Sequence, residues 1–401
     1  MMKALETAKT MAPEEIREKI IAAGLREYGV FREPLSQKWE ELFDECDGSV
    51  SGVAAGLNNS DTKHALLGLL KTHADDIFQG IALTALALGA EEKILILPEN
   101  ETELADELQS AAGAYGITVK NEFIPVREYR TFALHHIETM LAAAQILDGS
   151  YVPGTYVCAA GEELTFVPCG TKLADAVSLD GAKAVEVSTR LYTPAAAAEL
   201  VIDEELSLGD GVITLLDDKK CLMQECEARL LANRIYGCGK CTFCREGMNQ
   251  IYAHITDITS GKGKKEALAM VEEIGKAMGF SCACSVGCTA ADFVIDSMNS
   301  FMDEYDAHIK KRKCPAGVCT CFMTIYVDPQ ACKGNGDCMD VCPNEAIEGK
   351  SGYISMIDEF ECSKCGKCID ACEEGAIIST TGRVPKLPTR LTKVGKFKKK
   401  R

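Results

Sequence analysis

The sequence predicts a multidomain chain of the α/β plus α class. It should contain a reduced α/β layer, a small β-rich domain, a helical bundle and a C-terminal cysteine-rich module. Three observations predict this. Residues 61–120 alternate helix-like and strand-like runs. Residues 222–312 carry apolar stripes at helical spacing. All but Cys46, Cys158 and Cys169 of the 21 cysteines fall between Cys221 and Cys372. The front of the chain therefore reads as ordinary globular protein and the back as a set of metal-rich modules.

From the start, Pro13 followed by Glu14 and Glu15 opens a helix whose apolar face is Ile16, Ile20, Ile21 and Leu25. Asp47–Asn59, rich in Gly, Ser and Asn, reads as a loop. Thr72 with Asp75 predicts the cap of a helix through Ile77, Ile81, Leu83 and Leu86, ended by Gly89. Lys93–Leu97 is a buried strand by its β-branched run. Asn100 with Glu103 predicts a second cap, and Ile117–Val119 a further strand. Residues 151–215, punctuated by Pro153, Gly154, Gly161, Pro168, Gly170 and Gly209, predict short strands at Thr155–Cys158 and Leu164–Val167 with one helix. Three stripes then predict an antiparallel bundle: Met248 to Ile258, Leu268 to Met278, and Val294 through Phe301 and Tyr305 to Ile309. Finally, Cys332–Ala346 and Cys362–Ala376 form an approximate repeat, each after a strand-like segment, Met323–Val327 and Tyr353–Ile357.

Composition excludes several function classes. The chain has 401 residues, 47% hydrophobic and 26% charged, with a net charge of −17, which makes nucleic acid a poor partner. No apolar run approaches the roughly 18–20 residues that a membrane helix needs. Early Glu6, Glu14 and Glu15 with no apolar signal core argue against export. Cytoplasmic thiols are kept reduced, so the cysteine excess predicts metal chemistry rather than disulfides. The tail Arg383–Arg401 holds nine Lys or Arg and no acid. It reads either as a solvated, frayed end or as a dock for an acidic surface.

The clearest motif is Cys362-x-x-Cys365-x-x-Cys368-x-x-x-Cys372, preceded by Cys332, Cys338 and Cys342-Pro343. This is the two-cluster bacterial ferredoxin spacing, in which three close thiolates and a distant fourth hold each cube. Zinc sites use paired spacings instead. Cys342, Cys362, Cys365 and Cys368 are thus expected to hold one complete [4Fe–4S] cluster. The other site expects Cys332, Cys338, Cys372 and a residue at 335, which is Asn335. It would hold a [3Fe–4S] cluster, or a [4Fe–4S] cluster with another ligand (Cys319 or Cys321 among the candidates), or it has lost its cluster. A second motif, Cys238-Gly-Lys-Cys241-Thr-Phe-Cys244-Arg-Glu-Gly247, lies at the mouth of a helix whose N-terminal amide dipoles favour an anionic cluster. Cys284 is the best-placed fourth ligand, and Cys282 and Cys288 flank it closely enough to be alternatives. Cys221, His308, Cys314 and Cys319 have the N/S character of a closed structural zinc site; the alternative is a surface histidine among reduced thiols. His64, His73, His135, His136 and His254 form no ligand-spaced set.

These residues carry a resemblance. Gly209-Asp-Gly211-Val-Ile-Thr-Leu, the Cys238–Gly247 motif and Cys284-x-x-Gly287 resemble the NADH-binding flavoprotein subunit of respiratory complex I. Glu304-Tyr305-Asp-Ala-His308-Ile309, Cys314-Pro-Ala-Gly-Val-Cys319 and the run Cys332–Cys372 are more similar still to the β subunit of electron-bifurcating [FeFe]-hydrogenases. The resemblance covers residues 61–380, most strongly from 208 onward. It implies an N-terminal segment (1–60), a reduced FMN-domain-like layer (61–150), a β-grasp domain (151–215), a cluster-bearing bundle (216–312), a linker with zinc ligands (313–322), a two-cluster ferredoxin-like domain (323–380) and a basic tail (381–401). It also implies zinc at His308.

The resemblance fails at the flavin. The family's FMN domain opens with a Gly-Arg-Gly-Gly-Ala-Gly-Phe loop, and the nearest stretch here is Gly52-Val-Ala-Ala-Gly56-Leu57. Asn58-Asn59-Ser60-Asp61 is expected to pass straight into helix, and the NAD loop is missing between Phe123 and His136. Backbone amides need those glycines to approach a phosphate, so FMN and NAD are expected to be absent. The expected function is a cytoplasmic, anaerobic electron-transfer and scaffold subunit serving flavin-, iron–sulfur-, molybdenum/tungsten- or hydrogenase-type partner subunits and ferredoxin. The alternatives are an NAD(P)H-oxidising FMN flavoprotein with a degenerate pocket, or an iron–sulfur sensor or assembly platform.

Overall fold

A computed structural model describes residues 3–397, which divide into two compact units. One comprises residues 3–217, 228–252 and 269–300, the other residues 218–227, 253–268 and 301–397.

The first unit is built on a four-stranded parallel sheet of β1 (Gly52–Gly56), β2 (Glu92–Leu97), β3 (Thr118–Asn121) and β4 (Phe132–His136), in the order β3-β2-β1-β4. The sequence predicts β2 and β3 but not β1, which falls inside the expected loop Asp47–Asn59. The reason is its composition. A Cβ on Gly52 would come 2.3 Å from the Phe132 ring, and one on Gly56 would come 2.8 Å from the Ile96 carbonyl oxygen. These glycines answer to crowding by neighbouring strands rather than to turn chemistry. The stretch nearest to a glycine loop is therefore a fully buried central strand. Beyond it, Asn58–His64 forms turns, and a 3₁₀ turn, Ala65–Gly68, precedes the helix Leu69–Thr72, so the chain does not pass straight into helix.

The predicted caps shift as well. The first helix runs Ala74–Leu88 with His73 at its N-cap, while the Thr72 hydroxyl donates back to the Gly68 carbonyl. The second runs Thr102–Gly113 with Glu101 at the N-cap. Helix Ala74–Leu88 crosses Ile137–Asp148 at Gly80, where a Cβ would meet the Met140 carbonyl. Helices Lys3–Ala8, Pro13–Ala22 and Leu35–Glu45 share this core through Leu5, Ile16, Ile20, Leu35 and Trp39.

A five-stranded mixed sheet follows: β5 (Gly154–Ala159), β6 (Thr165–Pro168), β7 (Ala184–Val187), β8 (Arg190–Tyr192) and β9 (Val212–Leu216), in the order β6-β5-β9-β7-β8. Only β5 and β9 pair in parallel. Two short helices, Leu173–Ala176 and Pro194–Ala198, occur where one was expected.

Helices Leu222–Tyr236, Thr242–Thr259 and Glu266–Ser281 contribute to both units. The third predicted stripe is two helices, Asp292–Ser300 and Met302–Ile309, because Phe301 leaves helical geometry at φ −134°, ψ 37°. Among the described residues no helix is long and apolar enough to cross a membrane.

In the second unit the cysteine repeat is a structural duplication. β10 (Thr324–Val327) pairs with β13 (Ile377–Thr380), and β11 (Ile347–Glu348) with β12 (Met356–Ile357), so each repeat lends a strand to the other. The equivalent bonds Asp328 N–H to Ala376 O, 2.7 Å, and Asp358 N–H to Ala346 O, 2.8 Å, tie the halves together. The chain from Arg383 is not wholly frayed. Ile354 N–H bonds Thr392 O, Val394 N–H bonds Gly352 O, and Val394 and Phe397 pack on the repeat's core. The last basic residues, Lys398–Arg401, lie outside the described residues.

Candidate metal centres

The bundle motif sits where helix Thr242–Thr259 begins. Cys238 is exposed, Cys241 half-buried and Cys244 buried. Burial, then the neighbouring sulfurs of Cys282, Cys284, Cys241 and Cys238, push the Cys244 thiol up to about 12. Five thiols thus converge although their sequence positions span two helices. Sulfurs that repel one another as thiolates need a cation among them, which is what the iron of a [4Fe–4S] core supplies. Cys284 stands at the N-cap of the short helix Ser285–Thr289 in extended geometry; burial pushes its thiol up, and the nearby Gly287 and Val286 N–H groups and Asn59 side chain moderate that rise. Asn59 is held in turn by a two-way bond with the Ile124 backbone, at 2.9 and 3.0 Å. Nothing in the spacing of the motif pointed to Asn59; it reaches the site because β1 delivers the loop that follows it.

In the repeat, the Cys342 and Cys372 sulfurs accept from Ala346 N–H and Ala376 N–H, each at 3.3 Å, and Cys362 accepts from Lys364 N–H at 3.4 Å. Burial, followed by Cys362, Cys338 and Cys342, raises Cys368 to about 11. Cys365 stands exposed, its thiol lowered by the Lys367 N–H. The other half gathers Cys332, Asn335, Cys338 and Cys372 around one small cavity, with the Cys338 thiol 3.5 Å from the Ser355 hydroxyl. The alternatives that had Cys319 or Cys321 completing this site are not met. Cys319 lies in the quartet described next, and Cys321 is exposed beside Gly261.

Cys221, His308, Cys314 and Cys319 are all buried, with donor atoms within 4.8 Å of one another. The Cys221 sulfur is 3.3 Å from His308 Nε2 and 3.5 Å from the Cys319 sulfur, and Cys319 is 3.5 Å from Nε2. Zn–S near 2.3 Å and Zn–N near 2.0 Å give a tetrahedron with edges of roughly 3.5–3.8 Å, so the quartet has the size of a zinc shell. His308 Nδ1–H donates to the Glu304 carbonyl at 2.8 Å, leaving Nε2 for the metal. Burial alone would lower His308; the Cys221 and Cys314 sulfurs and that carbonyl carry it up to about 10. The reading of His308 as a surface histidine is overturned, because the residue is fully buried.

The carboxyl ends of β1, β2 and β3 open onto a cavity of about 500 Å³ reaching Cys238. Asp61, Glu99 and Glu122 line it, and no Lys or Arg does among the described residues. A second cavity of about 330 Å³, lined by residues of both β1 and β4, reaches Cys284. His135 and His136, which the sequence tied to no ligand set, belong to a buried network there. The Glu27 carboxylate accepts from His135 Nδ1 at 2.6 Å, Lys38 Nζ at 2.8 Å and His136 N–H at 2.8 Å. Burial would raise Glu27, but Lys38 and His135 outweigh it and hold the carboxyl well below its usual range.

Residues 234–308 match the NADH-ubiquinone oxidoreductase-F iron-sulfur binding region, and residues 324–373 match a 4Fe-4S dicluster domain. The chain is 35% identical over 142 residues to the NADP-reducing hydrogenase subunit HndC of Solidesulfovibrio fructosivorans, covering 35% of this chain and 29% of that one. It is 31% identical over 108 residues to an NADH-quinone oxidoreductase subunit of Streptomyces coelicolor, covering 27% and 24%. The matched segments span less than a third of these relatives. A crystal structure of NAD+-reducing [NiFe]-hydrogenase in the H2-reduced state aligns over 77% of this chain and 65% of that chain, with a TM-score of 0.64 at 20% identity. That likeness carries the mixed fold of parallel sheet and helices. Residues 234–308 and 324–373 thus match, one after the other, the iron-sulfur binding region of NADH-ubiquinone oxidoreductase-F and a 4Fe-4S dicluster domain.

Proposed function

We propose that the chain is a flavin-free iron–sulfur electron-transfer and scaffold subunit of a multisubunit oxidoreductase, relaying electrons between partner subunits. Cys238, Cys241, Cys244 and Cys284 hold one [4Fe–4S] cluster, and Cys342, Cys362, Cys365 and Cys368 a second. Cys332, Cys338 and Cys372 hold a third, three-iron cluster beside Asn335. Cys221, His308, Cys314 and Cys319 hold structural zinc. In this reading residues 151–215 are a β-grasp domain and residues 323–380 a ferredoxin-like domain. When bound, the clusters supply one-electron transfer. The chain's own work is to hold them with thiolates, to donate N–H groups to their ligand sulfurs, and to bring each within reach of the surface. The exposure of Cys238 and Cys365 supports that last role.

The observation that carries the flavin-free reading is the cavity at the carboxyl ends of β1–β3, where doubly wound sheets bind nucleotides. Its lining is acidic, and the segment that would supply a glycine loop is the buried strand β1. A phosphate there would meet carboxylates rather than amides and cations. The test is the flavin content of anaerobically purified protein, by acid extraction and chromatography. Near-zero flavin is expected. One flavin per chain, with NAD(P)H oxidation, would replace the relay with a diaphorase.

A further inference from the structure

The segment between helix Glu266–Ser281 and helix Asp292–Ser300 carries Cys282, Cys284 and Cys288, whereas a cube already held by Cys238, Cys241 and Cys244 needs one more thiolate. The three differ in what they face. The Cys288 thiol donates to the Cys282 carbonyl at 3.3 Å and so braces the turn. Cys284 stands at the N-cap of the helix Ser285–Thr289 and lines the same cavity as Asn59. Cys282 turns toward Cys244. A Cβ added at Gly287 would come 2.6 Å from the Cys282 sulfur and 3.1 Å from Cys244 Cβ. Gly287 therefore keeps open the gap between this turn and the cysteine motif, and the Cys282 sulfur fills it.

We propose that Cys282 is a second ligand for the iron corner otherwise held by Cys284, and that the two alternate. In the exchange the Fe–Sγ bond to Cys284 breaks, one to Cys282 forms, and the Cys282 thiol proton passes to the Cys284 sulfur. No electron is gained or lost. The two forms differ in the thiolate that holds one iron corner. This rests on the assignment of Cys238, Cys241 and Cys244 to the cluster.

The experiment uses the full chain, purified anaerobically, as Cys284→Ala, Cys282→Ala, the double variant and Cys244→Ala. Iron per chain and EPR of the reduced protein are measured, and the repeat's signal reports that each variant is folded. Cys284→Ala should keep its iron with a shifted bundle signal, and Cys282→Ala should keep it with a single species. The double variant should lose roughly four irons per chain. If Cys284→Ala already loses the bundle signal, or if the double variant keeps it, Cys282 is not a ligand and the proposal is overturned. If Cys244→Ala keeps the bundle signal unchanged, the underlying cluster assignment itself fails.

Discussion

Cys221 and His308 meet across 87 residues of sequence, with Sγ 3.3 Å from Nε2 and both side chains buried. The contact pins the residue before helix Leu222–Tyr236 to the end of helix Met302–Ile309, and Cys314 and Cys319 close the shell.

A ligand that binds only the folded state at about a thousandfold excess over its Kd contributes about 4 kcal/mol. His308→Ala should therefore abolish bound zinc, measured by plasma mass spectrometry, and lower the melting temperature by roughly 10 °C. Unchanged zinc content would sink the assignment.

Cys244→Ala should remove one reduced-state EPR signal and leave the dicluster signal intact, since Cys244 lies buried among the other thiols of the bundle site. Loss of both signals, or of neither, contradicts the separation of the two centres.

Asn335 occupies the position facing Cys332, Cys338 and Cys372. Asn335→Cys should raise iron by roughly one atom per chain and convert a three-iron spectrum into a cube spectrum. Unaltered iron and spectra would mean that this site is empty or already complete.

Burial raises the Glu138 carboxyl from 4.5 to about 7. The folded chain keeps this proton while the unfolded chain releases it, so stability falls as pH climbs from 4.5 to 7 and the loss is complete above that. The cost is on the order of 3 kcal/mol. Glu138→Gln, which can still accept from Thr155 and from Tyr156 N–H, should gain that much on the wild type across the window in urea unfolding. A stability difference that stays flat with pH would refute this.

The cysteine spacings are local and dictate their chemistry directly: three thiolates spaced as Cys-x-x-Cys-x-x-Cys can reach three corners of one cube whatever surrounds them. The 30-residue repeat, the strand β2 and the helical stripes were legible for the same reason, because each is a short-range pattern of side-chain type. The strand β1 was not legible. Gly-Val-Ala-Ala-Gly carries no strand signal of its own, and its glycines are explained only by Phe132 and the Ile96 carbonyl on the neighbouring strands. The helix break at Phe301 was hidden inside an unbroken apolar stripe.

By itself, then, the sequence determined which residues can bind metal and which spacings suit a cube. Tertiary structure decided which sulfurs share a centre: Cys319 went to His308 rather than to the Asn335 site, and Cys282 went beside Cys244. It also turned the apparent glycine loop into a buried strand whose following loop sets Asn59 on the same cavity as Cys284. Ligand chemistry is a property of single side chains and short spacings. Ligand grouping depends on contacts between residues far apart in the chain, and those exist only once the core has packed.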